Sequence, residues 1–83
     1  MSAIILFRSL TYAQRGVRIL GAGGIPATVV KAPAGLSEKG CVYAAGVSGR
    51  NYRQALHILY EQDVSHGGVF LHDGNGNYTE VSP

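Results

Sequence analysis

The stretch Ala3-Ile4-Ile5-Leu6-Phe7, followed at once by Arg8-Ser9-Leu10-Thr11, decides how this chain is read. Five consecutive apolar residues predict a strand that is buried on both faces or central in a sheet. The polar break after Phe7 predicts a helix start. Ser9 or Thr11 can cap that helix, and Thr11 with Gln14 fits a capping box. Ala13, Val17 and Leu20 then recur at helical spacing, with Arg15 and Arg18 off that stripe. Gly21, Gly23 and Gly24 end the helix, and Pro26 prevents its resumption.

Outward from this unit the same signals repeat. Ala27 to Ala32 is rich in β-branched residues and reads as a second strand. Pro33 to Gly40 is a loop, and Cys41 to Val47 a third strand. Ser48-Gly49-Arg50-Asn51 opens a second helix, with Asn51 as the best cap. Its apolar face is Tyr52, Ala55, Leu56, Leu59 and Tyr60. Ser65-His66-Gly67-Gly68 is a turn, Val69 to His72 a fourth strand, and Asp73-Gly74-Asn75-Gly76 a hairpin signal. Asn77 to Val81 is a candidate for a short fifth strand. Two strand-helix-strand units with right-handed crossovers predict an α+β, ferredoxin-like split β-α-β sandwich. Two helices then cover one face of a four-stranded antiparallel sheet, leaving the other face open or buried in a homo-oligomer.

Composition sets the limits. The 83 residues make a single domain, 1–83, near the size where a lone core is only marginally stable. No apolar run approaches the length of a membrane span, and no basic residue precedes Ala3 to suggest an export signal. With one unpaired cysteine, a reducing cytoplasm is expected. Net charge is +2, yet all seven basic residues lie between Arg8 and Arg53. Four of the five acids follow Gln54. The asymmetry fits chance solvation or a basic face for an anionic partner. Neither a recognition-helix charge run nor an aromatic-plus-basic strand motif is present, so nucleic acid is not expected as a partner.

Cys41 is the residue closest to chemistry. In the predicted topology the end of the first strand, the loop before the third strand and the turn holding His66 share one end of the domain. That would gather Cys41 with Arg8, Ser9, Thr11, Lys39, Gly40 and His66, near the amino end of the first helix. A helix amino terminus and nearby cations favour thiolate over thiol. A thiol pointing into the core would instead be inert. Residue pattern alone leaves both roles open.

Other constellations reduce to structure. Asp73, Asn75, Asn77 and Thr79 alternate like calcium ligands, but Tyr78 stands where the loop needs glycine. Gly21-Ala22-Gly23-Gly24 follows a helix and so ends one, where a phosphate loop would open it. His57, His66 and His72 lack metal-ligand spacing, so no metal or other cofactor is expected. His57 reads as solvent-facing, His72 as a strand-end residue, and Tyr43 as core packing that could line the site.

Three stretches carry a resemblance: Ile5 through Ala13, Ala22-Gly23-Gly24-Ile25-Pro26, and Pro33 through Tyr43 with its Gly40-Cys41 pair. In their order and spacing they resemble the family of small selenium/sulfur carrier protein-like domains, over about residues 3 to 72. The resemblance implies a carrier of sulfur or selenium on Cys41, held as a persulfide or selenenylsulfide. Its partners would be donor and acceptor proteins, and it would be an accessory protein more than an enzyme. The rival reading is a non-catalytic interaction or regulatory subunit. It would dock on a larger enzyme, or oligomerise, through its open sheet face.

Overall fold

A computed structural model describes residues 1–33, 35–36 and 43–81. Strand β1 (Ser2–Phe7) leads into helix α1 (Leu10–Ala22), then β2 (Thr28–Lys31) and β3 (Tyr43–Ser48). A 3-10 turn (Gly49–Asn51) precedes α2 (Tyr52–Glu61), followed by β4 (Val69–His72) and β5 (Tyr78–Val81). The sheet is antiparallel throughout, in the order β2-β3-β1-β4-β5. It has five strands where four were expected, because the turn after His72 folds Tyr78–Val81 back onto β4. The Asp73 carboxylate builds that turn. It accepts hydrogen bonds from the Asn75 backbone N–H at 2.7 Å and from the Asn77 side-chain amide at 2.9 Å.

β1 is central, as its uninterrupted apolar sequence requires. Ile5 faces Ala45 on one side and Val69 on the other. Ala3, Ile5 and Phe7 point to the face covered by both helices. There they meet Ala13 and Leu20 of α1 and Ala55, Leu56 and Leu59 of α2. Phe7 is fully buried, which contributes roughly 1.5–3 kcal/mol relative to exposure.

The opposite face, expected to be open or buried in an oligomer, is covered in part by the chain itself. Ile4, Leu6, Ala44 and Phe70 form a second cluster, with Val30, Ala32, Leu36 and Tyr78 packed partly buried against it. Leu6 is only 1% exposed. The chain after β2 folds Leu36 back over its own sheet, and β5 contributes Tyr78. Both are additions that a bare two-layer sandwich lacks.

The helix ends follow local chemistry. Ser9 is the cap of α1, its hydroxyl accepting the Tyr12 N–H at 3.2 Å. Thr11 lies one residue inside the helix, so the Thr11–Gln14 capping box does not form. At the other end the Ile25 N–H reaches the Leu20 carbonyl at 2.9 Å and the Gly24 N–H reaches Gly21 at 3.1 Å. Gly24 has φ of 89°, the left-handed conformation this closure requires. α2 differs from expectation at its start. Asn51 has helical dihedrals and its side chain makes no cap bond, because the 3-10 turn has already begun the spiral.

Candidate functional site

Two backbone bonds position a charged cleft at the carboxyl end of β1. The Leu6 N–H donates to the Gly68 carbonyl at 2.9 Å and the Gly67 N–H donates to Leu6 at 2.7 Å. They continue the β1–β4 ladder past Val69 and hold Ser65–Gly68 beside Leu6–Arg8. His66 is thereby fixed. Its ring stands edge-on to Phe7, centroids 6.5 Å apart, and its Nδ1 lies 2.7 Å from the Gly67 carbonyl. A neutral ring in that position donates from Nδ1 and leaves Nε2 as an acceptor; only the imidazolium donates from both.

The space between this segment and α1 is a cleft of about 340 Å³. Arg8, Tyr12, Arg15, Asp63, Ser65 and His66 line it. Arg8 lies over the Tyr12 ring, 6.0 Å from its centroid. Among the described residues no carboxylate pairs with Arg8 or Arg15. The one ion pair found there joins His57 and Glu61 at 3.3 Å on the exposed side of α2. The cleft therefore carries two guanidinium groups against one lining carboxylate, that of Asp63.

That carboxylate is placed by a strained turn. Asp63 has φ of 57° and is the one described non-glycine residue with positive φ. It closes α2 as Gly24 closes α1: the Val64 N–H reaches the Leu59 carbonyl at 2.9 Å, and the Asp63 N–H reaches Tyr60 at 3.2 Å. The buried Val64 side chain anchors the turn, so Asp63 remains on the surface beside the arginines.

Of the residues singled out from sequence, Arg8 and His66 share the cleft. Ser9 spends its hydroxyl on the helix cap, and Thr11 is exposed in the first turn of α1. Cys41, Lys39 and Gly40 lie outside the described residues. Tyr43, where the described chain resumes, pairs with Phe7 and packs against the core beneath the helices. His57 is on the exposed face of α2, and His72 stacks on Tyr78 with centroids 4.5 Å apart. Among the described residues no group of His, Cys, Asp and Glu could hold a metal ion, and no helix is long and apolar enough to cross a membrane.

Tyr12, Arg15, Asp63 and Ser65 were not anticipated. A signal existed for two of them. Tyr12 and Arg15 are three residues apart and so share one side of α1, away from the apolar stripe. Away from the cleft, Asp73 is held below its ordinary value of 3.8. The chief cause is the Asn75 N–H, followed by the Asn77 side chain, both donating to its carboxylate.

A family model described as "Putative Se/S carrier protein-like" matches residues 2–71. The match runs from the start of β1 to Leu71 in β4 and leaves β5 outside. No curated protein and no solved structure matches the chain.

Proposed function

The chain belongs to the Se/S carrier protein-like family, and from that premise we propose that it carries sulfur or selenium on the thiol of Cys41. The family match over residues 2–71 is the observation that carries this reading, since it spans the cysteine and every element around the cationic cleft. Tyr43 pairs with Phe7, the residue before Arg8. Arg8, Lys39, His66 and the amino end of α1 capped by Ser9, with Thr11 in its first turn, would favour the thiolate. Gly40 would leave room for a partner's backbone.

The transfer is an exchange without net oxidation. The Cys41 thiolate attacks the terminal sulfur of a donor protein's persulfide. A bond forms from Cys41 Sγ to that sulfur, the donor's S–S bond breaks, and its electron pair leaves on the donor thiolate. An acceptor thiolate repeats the step on Cys41. Terminal selenium follows the same path as a selenenylsulfide. No resident cofactor is needed, and a reducing cytoplasm would keep a single thiol available. The core order β2-β3-β1-β4 with two helices supports reading the domain as ferredoxin-like, with β5 as an added edge strand. The rival docking-subunit reading is weakened by the second face, where the chain's own Leu36 and Tyr78 already pack over Leu6 and Ala44.

Intact-mass measurement of the protein isolated from its host tests the proposal. The wild-type chain should carry the added mass of one sulfur or selenium atom, removable by dithiothreitol, and Cys41→Ser should carry none. A second arm alkylates the native protein with iodoacetamide across pH. Labelling only after denaturation, with no reducible adduct, would leave the carrier reading without support.

A further inference from the structure

We propose that the cleft between α1 and the Ser65–Gly68 segment binds a small dianionic oxyanion of the sulfate type. The proposal does not depend on Cys41. Two guanidinium groups, Arg8 and Arg15, line one concavity, and among the described residues neither is neutralised by a carboxylate within ion-pair distance. Each guanidinium presents a planar fork of N–H donors that matches two oxygens of one anion. The Tyr12 ring lies under Arg8, which restrains that side chain through the attraction of a cation for a ring face. His66 adds a third donor to an anion in its imidazolium form, while its Nδ1 stays engaged with the Gly67 carbonyl.

Size and charge narrow the ligand. A cleft of about 340 Å³ has room for several water molecules. It holds a four- or five-atom oxyanion with part of its hydration shell, and it is at the small end of ligand pockets. The Asp63 carboxylate at the edge opposes any anion. It leaves a net positive cleft that repays a doubly charged ligand more than a singly charged one. Chloride, a single atom, cannot form the two parallel bonds that two oxygens of one oxyanion make with a guanidinium.

The test is a titration of the 15N-labelled Cys41→Ser chain with sodium sulfate and, separately, inorganic phosphate. Sodium chloride holds ionic strength constant. Using this variant keeps the result separate from the fate of the carrier reading. Saturable shifts should appear at Arg8, Tyr12, Arg15, Ser65 and His66. Adding Arg15→Gln should weaken binding roughly tenfold, as for the loss of one charge-assisted hydrogen-bonded contact. Asp63→Asn keeps a residue that tolerates the left-handed turn and should tighten binding severalfold. Arg53→Gln, a change away from the cleft, should leave it unaltered. Shifts that grow linearly without saturation, or equal losses for Arg15→Gln and Arg53→Gln, would overturn the proposal. So would unchanged binding in Asp63→Asn.

Discussion

Gly16 and Phe7 are in such close contact that a β-carbon added to the glycine would stand 2.7 Å from the ring's Cζ. The ring edges Cε1 and Cε2 would each be 3.3 Å away. A glycine in mid-helix costs about 1 kcal/mol relative to alanine, and here that cost lets α1 settle onto the central strand. Gly16→Ala is therefore expected to lose stability despite its better propensity. Overpacking typically costs about 1–3 kcal/mol, because Phe7 is wholly buried and has no free side to move to. Urea unfolding should show a lower midpoint, and adding Phe7→Leu should recover part of the loss. A stabilised Gly16→Ala protein would contradict this packing.

Ser9 supplies a cap, and its removal should be felt as one. Ser9→Ala is expected to cost about 1 kcal/mol of stability, through loss of the hydroxyl bond to the Tyr12 N–H. Ser9→Asp should retain the cap and gain from the helix dipole. Thermal unfolding of the two variants checks the order, and Thr11→Ala should be nearly neutral, since Thr11 is exposed within the first turn.

Asp63 is a strained residue. Left-handed backbone costs a residue with a β-carbon about 1–2 kcal/mol, less for Asp than for most. Asp63→Gly relieves that strain but loosens the unfolded chain. The net expectation is a gain of roughly 0.5 kcal/mol. Asp63→Val, branched at the β-carbon, should lose stability instead. Denaturant titration of the pair reads the sign in each case.

Asp73 gives the protein an acid-side dependence. Its folded-state pKa lies below the ordinary 3.8 because two donors hold the carboxylate charged. A depressed carboxylate adds stability in full above the unfolded value, and that contribution is lost as pH falls through the folded value. The difference in melting temperature between wild type and Asp73→Asn should be constant near neutrality and shrink below about pH 4. A difference that grew in acid would contradict the assignment.

Much of this architecture is legible in the chain because its signals are local. Ala3–Phe7 could only be a central strand, and Gly23-Gly24 before Pro26 could only be a helix end. Val69–His72 also has the bounds its residues suggested. The second face was harder to foresee. Nothing local in Leu36 or Tyr78 says that either will fold over Leu6, because that cover comes from tertiary contact. The cleft was half visible: Arg8 and His66 come together through strand order. Asp63 gave no local signal because positive φ is ordinarily glycine's, and Arg15 lies off the apolar stripe that marks the helix. The chemistry assigned to Cys41 rests on family membership.

The seat of β1 between β3 and β4 also bears on how the protein comes into being. Strand β1 finds its flanking partners in β3 and β4, both distant from it along the chain. Such distant closures are entropically slow, and the sheet cannot assemble before β4 has left the ribosome. Until then Ile4, Ile5 and Leu6 form a sticky, unpaired ribbon, and a chaperone that shields them should raise the yield of native protein.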